Sequence, residues 1–304
     1  MLRSGRGASV PTNSYMDSAD GSRAVSETML LPRGVEFGTY TIRPPLIKPS
    51  KIHEMGGWVI NFAIGCTFGC RFCYVDQIQK KFGVRRAGSV VLNDWGNYFL
   101  LPTNLKEAID QTDWGKWSGK EVMLSSTHDA YLPWLARWTR RILERALPAG
   151  VGINILTRSP LVEKDFDLLS QYPDQVSVSV SAATMNRELI RLTEPRAVLT
   201  TRRLEILKSA KSHGLSTGIH VGPIFPPNRV RSDLKADLYE LASEIAKVDP
   251  DSISGEALHA RGPNMRSLEE VLGAEMSLKG FEEEAQRIFL ASLAAHQLVG
   301  CWSS

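Results

Sequence analysis

GWVINFAIGCTFGCRFCY, Gly57 to Tyr74, runs from a short apolar segment straight into a loop that holds three cysteines. The first half reads as a β-strand, rich in Val, Ile and Phe and bounded by glycine. Gly65 and Gly69 then let the backbone turn tightly around whatever Cys66, Cys70 and Cys73 surround. Downstream the pattern repeats as strand followed by helix. EVMLSS (Glu121 to Ser126) precedes the amphipathic LPWLARWTRRILERAL, and VGINILT (Val151 to Thr157) precedes SPLVEKDFDLLSQY, where Pro160 suits a first helical turn. QVSVSVS (Gln175 to Ser181) alternates with period two, and helical stretches follow over 185–192 and 201–213. Gly214 is placed to cap the second of these. LSTGIHVGPIF, the helix LKADLYELASEIAKV and the strand DSISGEAL complete the series.

Strands alternating with helices predict parallel βαβ units with right-handed crossovers. The expected fold is α/β, a partial (β/α)6 barrel of the TIM type, with its site at the carboxyl ends of the strands. Three parts are expected: a flexible or surface-draped segment over 1–45, the barrel over 46–262, and a helical extension over 263–304. The first thirty or so residues are rich in Ser, Gly, Arg and Asp and lack apolar periodicity. Arg3, Arg6 and Arg23 have no apolar stretch behind them, so no secretory signal is read. No run of roughly 18 apolar residues occurs, so no membrane helix is expected. A net charge of +3 over 304 residues gives no compositional argument for nucleic-acid binding. Four cysteines would suit two disulfides, but three in one loop fit a reduced, cytoplasmic compartment better.

Cys66, Cys70 and Cys73 stand at Cys-x3-Cys-x2-Cys spacing. A structural zinc site wants four ligands, so it would need His53 or another distant residue; Cys70 and Cys73 alone would pass for a redox pair. An iron–sulfur cube is ordinarily held by four thiolates, and three leave one iron open to a small molecule. In this spacing, with Phe72 just before the third cysteine, the chain resembles the radical S-adenosylmethionine enzymes. The resemblance implies a [4Fe–4S] cluster on Cys66, Cys70 and Cys73, with S-adenosyl-L-methionine on the open iron. It further implies reductive cleavage to methionine and a 5′-deoxyadenosyl radical that takes hydrogen from a substrate, and a reductant such as flavodoxin or ferredoxin.

Further segments are similar to the spore-photoproduct-lyase-like, or DNA repair photolyase-like, branch: LSSTHDAYLP, INILTRSPLVEKDFDLL, SVSAATMNRELIRLTEPRA, STGIHVGPIFP and SGEALH. This likeness implies that Arg158 pairs with the methionyl carboxylate, that Ser181 bonds the cofactor, and that Gly222 and Pro223 let backbone approach its adenine. Tyr74 and Ser126 join the expected cofactor-binding set. Ser126 stands where the lyase is expected to carry a hydrogen-donating cysteine, and an O–H bond is too strong to replace S–H. The substrate is therefore left open among a small molecule, a peptide and a nucleic acid. Cys301 is the remaining thiol. Glu194 in Glu194-Pro195-Arg196 reads equally well as structural or catalytic.

His128, Asp129 and Tyr131 follow the second strand and are expected at the barrel mouth, with Asp129 and Tyr131 as catalytic candidates. Glu256 is the third candidate: a carboxylate ending the sixth strand is costly to bury alone, and His259 follows it. His220 reads as a satisfied core histidine. The tryptophans read as packing, and the basic runs RWTRR and KKFGVRR as solvated faces or a phosphate-contacting patch.

Overall fold

The computed structural model describes residues 32–50, 57–273 and 275–303. Its strands are β1 (Glu36–Tyr40), β2 (Ile47–Pro49), β3 (Trp58–Ile60), β4 (Tyr98–Pro102), β5 (Glu121–Leu124), β6 (Gly152–Thr157), β7 (Val176–Ser181), β8 (Ser216–Ile224), β9 (Ser252–Ala257) and β10 (Cys301–Trp302). The α-helices are α1 (Val75–Ile78), α2 (Val84–Ala87), α3 (Leu105–Asp110), α4 (Ala136–Ala146), α5 (Phe166–Leu169), α6 (Arg187–Thr193), α7 (Thr200–Ser212), α8 (Leu234–Ala246), α9 (Pro263–Leu272) and α10 (Phe281–Ala295). The main sheet runs β10-β9-β8-β7-β6-β5-β3-β2, with β2 antiparallel to β3 and every other pairing parallel. The six expected strands are its middle, each followed by a helical stretch, so the α/β expectation holds.

Local chemistry accounts for these elements. In β7, Val176, Val178 and Val180 are buried while Ser177 and Ser179 are half-exposed on the opposite face. In α4, Thr139, Ile142, Leu143 and Ala146 form the buried stripe. Its arginines face carboxylates: Arg140 bonds Asp167 at 2.7 Å and Arg141 bonds Asp110 at 2.9 Å. That accounts for RWTRR as a paired surface. The Asn186 side chain caps α6 through the Leu189 amide and that of Asp233 caps α8 through the Ala236 amide. Gly214, with φ at +74°, follows α7 as expected of a helix-ending glycine.

The face of β6–β9 that carries Ser177, Ser179, Ser252 and Ser254 is small and polar, unlike the bulky aliphatic fill of a complete barrel. A Cβ at Gly218 would lie 2.4 Å from Ser179 Oγ and 2.6 Å from Ser252 Oγ, so glycine is what lets these hydroxyls crowd together.

Three features differ from expectation. Of the 1–45 segment, residues 1–31 lie outside the described residues, but Glu36–Tyr40 is a strand rather than a draped tail. It pairs in parallel with β4, buries Tyr40, and sets Phe37 against Phe99 with ring centroids 6.4 Å apart. The first strand is short because beyond Ile60 the backbone turns away, and Ile64 bridges Leu100 instead. The 263–304 segment includes α9 and α10 but ends in β10, which adds to β9. Among the described residues no helix is long and apolar enough to cross a membrane.

Candidate active site

The cysteine loop is set by close approaches that exclude side chains. Gly65 has φ at +85°, and a Cβ there would fall 2.3 Å from the Tyr98 carbonyl oxygen. Gly69 has φ at +61° and lies against Gly96, where an added Cβ would come within 2.6 Å of the Gly69 Cα. The Arg196 guanidinium fastens this contact, donating to the carbonyls of Thr67 at 3.1 Å and Gly96 at 2.6 Å and to Asn97 Oδ1 at 3.0 Å. The Arg71 amide donates to the Thr193 carbonyl, tying the loop to the end of α6. Cys66 and Cys70 are buried and Cys73 is half-buried.

Burial pushes the Cys66 thiol up to about 11 and that of Cys73 up to about 12, and raises Cys70 well above its ordinary range. A single cation opposes this at all three: Arg158. Its guanidinium lies 5.5 Å over the Phe72 ring and donates from Nε to Glu194 Oε2 at 2.8 Å, while its Nη atoms make no hydrogen bond to the described residues. Glu194 also accepts from Arg203 Nη2 at 2.7 Å, and Arg203, fully buried, donates to the carbonyls of Ser181 and Val198. Burial works to raise the Glu194 carboxyl, but Arg203 and Arg158 outweigh it and hold it below the usual range. Two guanidiniums share this carboxylate, while the Asp129 carboxylate acts on Cys66 in the opposite sense to Arg158.

Asp129 is buried and fully spoken for. It accepts from the Tyr131 amide at 2.9 Å, Thr157 Oγ1 at 2.8 Å and the Arg158 amide at 2.7 Å. It therefore fixes the backbone that carries Arg158, rather than presenting a free carboxylate. Tyr131 is completely buried, and its hydroxyl donates to Asp165 Oδ2 at 3.0 Å on the helical side. This replaces the expectation of a mouth tyrosine: its hydroxyl is occupied beneath α4. His128 is buried edge-on to Phe62, with centroids 4.9 Å apart, and burial pushes its imidazole down to about 3. It is a neutral core residue.

Tyr74 follows the last cysteine and donates to the Ser126 carbonyl at 2.8 Å. The Ser126 side chain and amide both engage Asn61, at 3.0 Å each. Burial, then the Cys73 thiol and the Glu256 carboxylate, push the Tyr74 phenol up. Glu256 Oε2 lies 3.1 Å from His220 Nε2 and its Oε1 lies 3.0 Å from His259 Nε2, both within ion-pair distance. His220 Nδ1 meets Ser254 Oγ at 3.0 Å, so this histidine is tied to Glu256 and is more than a core filler. A Cβ at Gly222 would strike His220 Nε2 at 2.5 Å. The absence of a side chain at Gly222 thus makes room for the His220 ring. Pro223, joined to Gly222 by a cis peptide, is half-buried. Ser181 is buried and its hydroxyl makes no hydrogen bond to the described residues.

The structure brings Cys66, Cys70, Cys73, Tyr74, Ser126, Arg158 and Glu256 to one region and sends Tyr131 elsewhere. Sequence reasoning missed Asn61 and the roles of Arg196 and Arg203. Asn61 was legible only as a polar residue interrupting VINFA, and Arg203 looked like one cation among several on a helix. His53, the possible zinc partner, lies outside the described residues. Among the described residues no three His, Cys, Asp or Glu converge as a single metal ion would require. An open hollow of about 350 Å³ beside Glu36, Gly88 and Leu100 contains none of these site residues.

Comparison with known proteins bears on this arrangement. An uncharacterized protein, ORF301, of Acidianus two-tailed virus is 50% identical over 281 residues, covering 89% of this chain and 93% of its own length. The uncharacterized protein MJ0683 of Methanocaldococcus jannaschii is 28% identical over 182 residues, 59% of this chain and 64% of that protein. Among solved structures, a Cys-to-Ser mutant of spore photoproduct lyase has a TM-score of 0.63 at 15% identity, covering 88% of this chain and 81% of the other. Another mutant of that lyase, with bound AdoMet and dinucleoside spore photoproduct, scores 0.63 at 14% identity, over the same shares of the two chains. At such identities the likeness is one of fold. The Radical SAM superfamily model matches residues 60–241, from β3 through the cysteine loop into α8, and by that match the chain belongs to the radical SAM superfamily.

Proposed function

We propose that this protein is a radical SAM enzyme that holds a [4Fe–4S] cluster through Cys66, Cys70 and Cys73 and acts on a polar substrate. The carrying observation is that the three cysteines share one loop and that the Arg158 guanidinium lies over its Phe72 ring, with Nη atoms that make no hydrogen bond to the described residues. The donor set is three soft thiols that do not meet at one point, which suits a cube taking one thiolate per iron better than a single zinc ion. When bound, cluster and S-adenosylmethionine supply reductive cleavage of the sulfonium and a 5′-deoxyadenosyl radical that abstracts hydrogen.

The chain's own part is positioning. Arg158 offers a planar fork to the cofactor's carboxylate, with Glu194 fixing its Nε and Asp129 its backbone. The Ser181 hydroxyl is a free hydrogen-bonding group on the neighbouring strand. Phe72, packed on Phe225 at 5.5 Å, keeps water from this side of the loop. A reductant such as flavodoxin or ferredoxin would meet the exposed Phe82 and the cations Lys80, Lys81 and Arg85 that follow the loop. A repair reaction of the lyase kind is disfavoured by Ser126, whose hydroxyl is bonded to Asn61 and whose O–H is a poor hydrogen-atom donor.

Anaerobic reconstitution with iron and sulfide, reduction, and assay for 5′-deoxyadenosine and methionine test this reading. Wild type is expected to form both and Cys70→Ala neither. Zinc without iron in the native protein, or no deoxyadenosine from reduced wild type, would refute it.

A further inference from the structure

The four groups Ser254, His220, Glu256 and His259 form a continuous series of polar contacts, each 3.0–3.1 Å, that the proposed cofactor chemistry does not use. We propose that this chain makes His259 a proton acceptor at the barrel mouth, through its Nδ1, for a substrate bearing an O–H or N–H group. The proposal rests on the radical SAM reading for its setting, since Asn264 ties the His259 backbone to Phe72 in the cysteine loop.

The geometry assigns the roles. Glu256 Oε2 lies 3.1 Å from His220 Nε2 and Oε1 lies 3.0 Å from His259 Nε2, so the carboxylate faces the Nε2 side of each imidazole. Ser254 Oγ occupies His220 Nδ1 at 3.0 Å, leaving that ring no free nitrogen. His259 differs: its Nδ1 makes no hydrogen bond to the described residues, and its side chain is 34% exposed against 16% for His220. Its backbone is held in place, because Asn264 Nδ2 donates to the His259 carbonyl at 2.9 Å and to the Phe72 carbonyl at 3.1 Å. Burial works to raise the Glu256 carboxyl, but His220 and His259 outweigh it, so the anion that orients the base stays ionised. A base oriented by a carboxylate, which is itself anchored by a further group, is a general proton-transfer arrangement. The half-exposed Ser254 and Ser179 on the adjoining strands suit a polar partner.

In the step, the substrate O–H or N–H bond breaks as the Nδ1–H bond forms. The electron pair stays on the substrate heteroatom, and Glu256 faces the imidazolium produced. No oxidant or reductant enters.

The lone pair that would take the proton is the one that attacks an acylating reagent. Diethyl pyrocarbonate labelling of the full-length, substrate-free chain, read by peptide mass mapping, therefore tests the assignment. His259 is expected to react about tenfold faster than His220, whose nitrogens are both engaged, and Glu256→Gln to slow His259 about fivefold while exposed His213 is unchanged. Ser254→Ala should speed His220 labelling by freeing its Nδ1, and it serves as the second variant if Glu256→Gln fails to fold. Equal rates at His259 and His220, an unchanged His259 rate in Glu256→Gln, or an unchanged His220 rate in Ser254→Ala would overturn the proposal. These results need neither cluster nor cofactor. A wild type that labels as expected but forms no deoxyadenosine would sink the radical reading and leave the dyad standing.

Discussion

At the scale of single residues, Glu194 is the position on which most depends. It is 3% exposed and is the shared counter-ion of Arg158 and Arg203. Removing one partner of a buried ionic group costs about 3–5 kcal/mol, because the remaining charges stay buried without compensation. Glu194→Ala is therefore expected to destabilise the fold by about 3 kcal/mol in urea unfolding, and to weaken S-adenosylmethionine binding as Arg158 loses its anchor. Unaltered unfolding would mean that water or another group already neutralises the arginines. The Glu-Pro-Arg turn was readable in the sequence, but the choice between a structural and a catalytic role was not. It depends on Arg203, nine positions later and one helix away, and no local pattern links the two.

At the scale of an element, the loop after β3 shows what was and was not legible. The cysteine spacing and the glycines were plain, since each has a local physical reason. The bracket around the loop was not, because Arg196, Gly96 and Tyr98 come from distant parts of the chain and meet it only in the fold. Gly65→Ala tests the bracket directly. Its Cβ would overlap the Tyr98 carbonyl at 2.3 Å on a backbone with φ at +85°. The expected loss is about 2–4 kcal/mol, together with a sharp fall in iron and sulfide retained on reconstitution. Wild-type iron content in this variant would show that the loop can be rebuilt around metal without that turn. The strand alternation of β7 was read correctly because burial on one face leaves period two in the sequence. The β1–β4 pair escaped notice because β4 is buried throughout and alternates nothing.

At the scale of the whole molecule, the response to acid combines groups of opposite sign. His128 is held down to about 3 by burial, against about 6.5 in an unfolded chain. Between those values only the unfolded state binds the proton, so stability is lost as pH falls through the window. Glu194, also depressed, adds to the loss once the pH drops below the ordinary glutamate range. Asp129, Asp165 and Asp237 are raised by burial and act the other way, gaining stability as pH falls through their range. A difference between variants isolates the first effect. His128→Leu is expected to flatten the fall in unfolding free energy below about pH 6.5 by about 1.4 kcal/mol per pH unit. Parallel curves for variant and wild type would show that His128 is protonated in the fold.

Glu194 and Arg196 sit two positions apart on one turn, one steadying the Arg158 guanidinium, the other gripping the cysteine loop. On the proposed reading, cluster and cofactor would both pull on the same short piece of backbone. Linkage makes such sharing reciprocal: whatever free energy metal uptake lends to anion capture, anion capture returns to metal uptake. On that reading, weakening either site is expected to weaken the other.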